Sequence, residues 1–324
     1  MASREMKELP PKEVFWHDEK MHQIDGFWYL DSLMESIAAF RSQFQPRTDD
    51  ILLTSIPKTG TTWLIALCHS ILHRHDNEEE EEDSLMKMNP HELVPTMDIS
   101  YLTDQVQEHL KSDHTTTTTS PRFLHTHLPY SCLPEAVRSA GSSCKLVHVA
   151  RNPKDTVVSM WHFYNKIFGS ETTPDVTMES AVEGFCGGVI PYGPFYEHVV
   201  EYWEESRRRP EKVLFLKYEE LCRAPNEHVR RLASFLGKPF GSDEDGDAEV
   251  EKVLWRSSLN RLKELEVNKS DEGLELAPII PKSSFFRKGT VGGWKNYLTP
   301  QMAHRIDLLT EQKLQDTILS LDDF

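Results

Sequence analysis

Lys58, Thr59, Gly60, Thr61 and Thr62 stand side by side, and residues of these types at this spacing can hold an anion. The lysine brings a full positive charge, the threonines bring hydroxyl donors, and Gly60 lets the backbone come close to a bound group. The run before them, Ile51-Leu52-Leu53-Thr54-Ser55-Ile56, is apolar and partly β-branched; it reads as a buried strand whose pairing Pro57 ends. An apolar stretch from about Trp63 to Leu72 reads as a helix. Strand, tight turn and helix N-terminus aim unpaired N–H groups and the positive end of the helix dipole at one spot, which suits a phosphate-like group. In the common nucleotide loop, G-x-x-x-x-G-K-[ST], the lysine follows the second glycine; here Lys58 precedes Gly60 and an aromatic ends the motif. An ordinary strand-to-helix turn with a threonine N-cap is the competing reading of this segment alone.

Three further segments carry chemistry. In Leu124-His125-Thr126-His127-Leu128-Pro129 a histidine closes a strand ahead of a proline turn, where His127 can project into a ligand crevice. A structural histidine satisfied by hydrogen bonds is the alternative. His125 and His127 share a face and could pair on a metal, although no third ligand of suitable spacing lies nearby. The segment from Val149 to Ser159 delivers Arg151 off a strand into a helix that starts at Asn152 or Pro153, and Ser159 lies two turns further on. Arginine's planar fork matches a phosphate, with a surface ion pair as the plainer reading. Last, Phe285-Phe286-Arg287-Lys288-Gly289-Thr290-Val291-Gly292-Gly293-Trp294 sets two cations before glycines, which suits a loop folding over an anion or a simple basic turn.

These side chains need a frame that brings them together. Arg122 to His127, Lys145 to Ala150 and Val213 to Tyr218 read as three more strands, each followed by turn residues or a helical stretch. Strands alternating with helices predict an α/β fold, a single domain with a central parallel sheet flanked by helices. Ligands bind such sheets off the carboxyl ends of the strands, and Lys58, His127, Arg151 and Tyr218 all end or follow a strand. Residues 1–50 read as an N-terminal arm with one amphipathic helix around Leu30 to Phe44, joined to a main body over 51–324 in one globular unit. Gly26-Phe27-Trp28-Tyr29 reads as packing for that arm, with an apolar ligand wall as the alternative. Residues 76–84 and 112–121, the latter with Thr115 to Thr119, read as poorly ordered surface insertions.

Composition narrows the class. A chain of 324 residues with 38% hydrophobic content can bury a substantial core. Cys68, Cys132, Cys144, Cys186 and Cys222 are scattered and odd in number, which favours free thiols in a reducing compartment over a disulfide frame or a zinc site. The N-terminus lacks the apolar core of a signal peptide and no run of about 18 apolar residues occurs, so a soluble cytosolic protein without membrane contact is expected. The net charge of −16 argues against nucleic acid as a partner. Six of the negative charges fall in Glu78 to Asp83, which reads as a solvated loop, so any anion site must be locally basic.

Taken together, the four segments resemble the cytosolic sulfotransferases, which use 3′-phosphoadenosine 5′-phosphosulfate (PAPS). The likeness runs from about residue 26 to 300, and Gly26-Phe27-Trp28-Tyr29, Asn89-Pro90-His91-Glu92-Leu93 and Trp294-Lys295-Asn296-Tyr297-Leu298 look like the plant branch. The resemblance implies transfer of the PAPS sulfonate to a hydroxyl of a small acceptor that is phenolic, flavonoid, steroid-like or hydroxyjasmonate-like. It implies that His127, in the pattern T-H-L-P, is the catalytic base and that Lys58 stabilises the leaving phosphate. Lys58, Thr59, Gly60, Thr61 and Thr62 would hold the 5′ end of PAPS, and Trp63 would stack on adenine. Arg151, Ser159, Arg287, Lys288 and Gly289 would grip the 3′-phosphate, with Tyr218 and Ser257 as further nucleotide contacts. His162, with Phe163 and Tyr164, would border the acceptor pocket, and no metal is required.

The chain also departs from the family pattern. His125 stands where animal members carry a lysine that reaches the sulfonate, Gly293 replaces an acidic residue, and Leu259 replaces an aromatic near adenine. The animal dimer motif K-x-x-x-T-V-x-x-x-E keeps Lys295 and Thr299 but has Pro300 and His304 at its valine and glutamate positions, which leaves the oligomeric state open. Two rival functions stand beside this one: a PAPS-binding protein without turnover, and an ATP-dependent kinase. The kinase needs a lysine after the glycine and an acidic Mg²⁺ site, and the sequence offers neither convincingly.

Overall fold

A hairpin absent from the sequence reading opens the described chain. The computed structural model describes residues 19–74, 83–111, 121–169 and 175–321. Strand β1 (Met21–Ile24) pairs antiparallel with β2 (Phe27–Leu30) through a turn at Asp25 (φ 53°) and Gly26 (φ 88°). Two left-handed residues match the twist of a two-residue hairpin loop, and Asp-Gly is the signal that marks it in the sequence. Phe27, Trp28 and Tyr29 are buried, so this patch is packing. Trp28 N–H donates to Gly193 O at 2.9 Å and Tyr192 N–H donates to Trp28 O at 2.7 Å, which stitches the hairpin to the body. The helix expected from Leu30 is shorter: a 3-10 turn at Asp31–Leu33 leads into α1 (Met34–Gln43).

The sheet is built from β3 (Ile51–Ser55), β4 (Phe123–Thr126), β5 (Lys145–Ala150) and β6 (Val213–Lys217), all parallel, in the order β4-β3-β5-β6. Between them run α2 (Thr61–Leu72), α3 (Pro153–Phe168) and α4 (Phe195–Arg208). Then follow α5 (Pro225–Phe235), α6 (Glu244–Ser257) and α7 (Pro300–Leu314). Side chains alternate across the sheet, so Ile51, Leu53, Val147, Val149, Leu214 and Leu216 join the core made with α2, α5 and α6. Leu52, Leu124, Leu146 and Phe215 enter the opposite core with α3, α4, α7 and the hairpin. Burial on both faces is why these strands are mainly apolar. The result is one α/β domain, as expected.

Register places the working ends of the strands together. Thr54 pairs with both Thr126 and His148, and Ala150 pairs with Lys217, so the chain leaves β3, β4, β5 and β6 along one edge. The other edge is tied by a buried bidentate pair, Arg122 Nε and Nη2 to Asp50 Oδ1 and Oδ2, both 2.6 Å. All five cysteines are free. Among the described residues no helix is long and apolar enough to cross a membrane.

The acidic run needs one correction. Glu78 to Glu82 and the threonines from Thr115 to Thr119 lie outside the described residues. Asp83, however, is buried rather than solvated: it caps the helix Ser84–Lys87 through Leu85 N–H and pairs with Arg261 at 2.8 Å.

Candidate active site

The turn between β3 and α2 is built around two left-handed residues, Lys58 (φ 72°) and Gly60 (φ 118°). A Cβ at Gly60 would sit 2.7 Å from Tyr218 Cδ2, so glycine is required for space as well as for φ. Thr59 does not offer its hydroxyl to a ligand as the sequence suggests. Its single hydroxyl hydrogen serves Ile56 O (2.8 Å) and Val149 O (2.9 Å), which fastens the turn to β5. Thr61 Oγ1 meets Ser55 Oγ at 2.6 Å, and Thr62 Oγ1 meets His91 Nε2 at 2.9 Å. Lys58 Nζ lies 3.8 Å from the centroid of the Phe163 ring. Burial, reinforced by Arg287 and Arg151, pulls its pKa down to about 7.

His127 follows β4 and is fixed from two sides. Asp98 Oδ1 accepts Thr126 Oγ1–H at 2.6 Å and His127 N–H at 2.8 Å, while its other oxygen accepts the Tyr192 hydroxyl. His127 Nδ1 lies 2.8 Å from Ser55 O. A carbonyl can only accept, so Nδ1 carries the proton and Nε2 keeps its lone pair. Burial lowers the His127 pKa against the pull of Asp98 and the Ser55 carbonyl, so the ring is neutral at neutral pH. His125 is enclosed instead, between Ser55 Oγ (3.3 Å) and Thr96 Oγ1 (3.2 Å). No group of three His, Cys, Asp or Glu among the described residues is placed to hold a metal.

Arg151 leaves β5 and donates from Nη2 to Thr290 O at 2.9 Å, with its guanidinium 4.5 Å from the Tyr218 ring centroid. Tyr218 in turn donates to Gly289 O at 2.7 Å. Asp155, in the first turn of α3, accepts Gly292 N–H (2.7 Å) and Trp294 N–H (2.9 Å), so the Arg287-Lys288-Gly289 loop is pinned to the helix start. Arg151 Nε, Arg287 Nη1 and His162 Nε2 are enclosed with no hydrogen-bond partner. All three residues line one cavity of about 890 Å³, together with Lys58, Ser159 and Lys288. The two guanidinium nitrogens are buried unpaired donors, which are costly, and an oxyanion would satisfy them.

The sequence of the whole chain decides the family. A profile of the sulfotransferase domain matches residues 48–318. Cytosolic sulfotransferase 5 of Arabidopsis thaliana is 40% identical over 309 residues, covering 95% of this chain and 92% of the relative. Cytosolic sulfotransferase 13 of the same plant is 41% identical over 305 residues, covering 94% and 89%. The chain belongs to the plant cytosolic sulfotransferase family. A crystal structure of an Arabidopsis thaliana sulphotransferase superposes with a TM-score of 0.70 at 30% identity, over 97% of this chain and 93% of that one. A mouse sulfotransferase complexed with PAP does so at 0.68 and 26%, over 92% and 95%.

In this sulfotransferase a second cavity, of about 650 Å³, adjoins the first. Pro57, His91, His127, Phe163 and Phe285 line both, so His127 stands at the junction. Trp63, Tyr218 and Leu259 line the first cavity. Two expected placements are corrected. His162 lines the first cavity and not the second, with its pKa lowered to about 4 by burial and by Arg287 and Lys288. Ser257 lines neither: its hydroxyl donates to Val253 O (2.8 Å) within α6, and Ser258 lines the first cavity in its place. Phe163 and Tyr164 do border the second cavity.

Sequence reasoning missed His91, Asp98 and Tyr192. His91 carries a usable signal, because Asn89-Pro90-His91-Glu92 is a capping box with proline at the helix start. Asp98 and Tyr192 have no local signature; each matters through a partner distant in sequence.

Proposed function

We propose that this sulfotransferase moves the sulfonate of PAPS to a hydroxyl of a small acceptor, the donor seated in the first cavity and the acceptor in the second. One observation carries the reading: His127 stands where the two cavities meet, with Nδ1 committed to Ser55 O and Nε2 free to accept a proton. The cations Lys58, Arg151, Lys166, Arg287 and Lys288 line the first cavity and, among the described residues, no carboxylate does, which suits a doubly phosphorylated donor and not a Mg²⁺-dependent kinase. The mouse relative complexed with PAP supports the same donor.

PAPS supplies the sulfonate and a phosphate oxygen that gains charge as the sulfur–oxygen bond breaks. His127 Nε2 takes the proton of the acceptor hydroxyl as its oxygen bonds to sulfur, a task that needs the neutral ring found here. Lys58 neutralises the charge growing on the departing oxygen, an interaction worth most in the transition state. Thr61, Thr62 and the N-terminus of α2 hold the 5′-phosphate; Arg151, Ser159, Arg287, Lys288 and Gly289 hold the 3′-phosphate; Trp63 and Tyr218 bracket the base. Metal is not needed in this scheme, and the reaction belongs in the cytosol, as the relatives' names indicate. The test is transfer of labelled sulfonate from PAPS to a panel of phenols, with labelled ATP and Mg²⁺ as control. Label in the phenols from PAPS alone is the expected result; label from ATP, or from neither while PAP still binds, would replace this reading with a kinase or a binder without turnover.

A further inference from the structure

The second cavity has charges of one sign. Glu19, Glu92 and Glu275 border it and, among the described residues, no lysine or arginine does. Glu92 is neutralised by Lys282 at 2.9 Å. Glu275 is exposed and accepts only a neutral donor, the Gln105 amide, and no ion pair involves Glu19 or Glu275 among the described residues. The rest of the wall is mainly apolar, with Leu33, Ile99, Val106, Ile167, Phe168 and Ile280. His91 and His127 are held neutral by burial, so neither supplies a positive charge at neutral pH.

An anionic acceptor would therefore lose its hydration in an apolar chamber, find no cation there, and pass two uncompensated carboxylates. It would also approach a donor that is itself an anion. A neutral acceptor avoids these costs, and a basic group near Glu19 or Glu275 turns the encounter with the carboxylates into an attraction. The volume, about 650 Å³, is several times that of one phenol ring and matches a multi-ring molecule.

We propose that the second cavity takes an apolar, multi-ring hydroxylated acceptor that is neutral or basic, and rejects acceptors bearing a carboxylate, sulfate or phosphate. This rests on the sulfotransferase reading above and names the acceptor class for it. The test uses one hydroxylated multi-ring scaffold in three forms, a carboxylic acid, its methyl ester and an aminoalkyl amide. Binding to the PAP-saturated protein is measured by calorimetry, so the result does not depend on turnover. The ester and the amide should bind at least about tenfold more tightly than the acid at low salt, on the scale of one like-charge contact. Esters always favour an apolar wall, so the Glu19→Gln/Glu275→Gln double variant isolates the charge: it should narrow the amide-to-acid ratio several-fold, as should added salt. An acid that binds as tightly as its ester, a ratio unmoved in the variant, or no binding by any form would overturn the proposal. Binding of PAP itself and label transfer to simple phenols, followed on the same preparation, report on the sulfotransferase reading separately.

Discussion

The first cavity is lined chiefly by the turn after β3, the segments that follow β4, β5 and β6, and the loop from Ser283 to Thr290, whereas the second is assembled from segments as distant as Leu30, Ile99 and Ile280. Their chemistry differs as sharply: cations and enclosed unpaired nitrogens on one side, apolar walls and carboxylates on the other. Yet they share Pro57, His91, His127, Phe163 and Phe285. On the proposed assignment of donor and acceptor, recognition of a fixed donor would be written into backbone turns and helix starts, and recognition of the acceptor into side-chain volumes supplied by unrelated segments. Of the two side chains proposed to take part in the reaction, His127 stands on the shared wall and Lys58 lines the first cavity alone.

The strongest challenge to that division falls on the wall itself. His127→Ala should lower turnover about 10²–10⁴-fold, the usual worth of a general base, while PAP affinity stays within about twofold. A variant that kept its turnover, or one that lost PAP binding equally, would remove His127 from the junction role. Next comes the first cavity alone. Arg151→Ala should weaken a nucleotide bearing a 3′-phosphate by about 10–150-fold, the equivalent of 1.5–3 kcal/mol for one charge-assisted contact. The analogue without that phosphate should lose far less, and equal losses would move Arg151 elsewhere.

A smaller effect concerns Lys58, whose pKa near 7 belongs to the protein without an anion at the turn. A bound anion favours the charged amine, so above pH 7 binding must take up a proton. PAP affinity should fall as pH rises from 7 to 9, by no more than about tenfold per unit for one proton. Calorimetry in buffers of different ionisation enthalpy measures that uptake directly, and an uptake of zero would show that Lys58 is already charged. The finest discrimination separates neighbours. His162→Asn should raise the KM for PAPS several-fold and leave the acceptor KM unchanged, whereas Ser257→Ala should alter neither. An acceptor effect at His162 would return it to the second cavity.

Legibility in the sequence follows the same divide. The parallel sheet and the gathering of Lys58, His127 and Arg151 at the strand ends along one edge follow from apolar runs and turn residues, whereas the roles given to them come from the family resemblance. The errors have identifiable physics. Neighbours on a helix point about 100° apart, so His162, Phe163 and Tyr164 on α3 cannot all face one cavity, and only the last two reach the second. Ser257 ends α6 and bonds back to its own helix, a competition open to any serine near a helix end. Thr59 looks like its neighbours in composition, yet the turn directs its hydroxyl inward to Val149 O. The hairpin at Asp25 and Gly26 carries a clear signal that four consecutive apolar residues hid from a search for alternation. The second cavity has no such signal, because nothing local says that residues near 30, 99 and 280 will meet.

Ser55 divides its duties in a way that bears on how this enzyme can change over generations. Its hydroxyl faces Thr61 and His125, but the atom that sets the tautomer of His127 is its main-chain oxygen, at 2.8 Å. Every amino acid carries that oxygen, so no single codon change at position 55 can delete the contact. A slip in the register of β3 against β4 would unseat it, and such a slip would send Leu52 and Leu53 to the wrong faces of the sheet. The contact that sets the His127 tautomer is therefore shielded from drift by the fold itself, while second-cavity side chains such as Leu33 and Ile280 take no part in it. With the acceptor in the second cavity as proposed, a lineage built this way could exchange one acceptor for another without relearning the reaction.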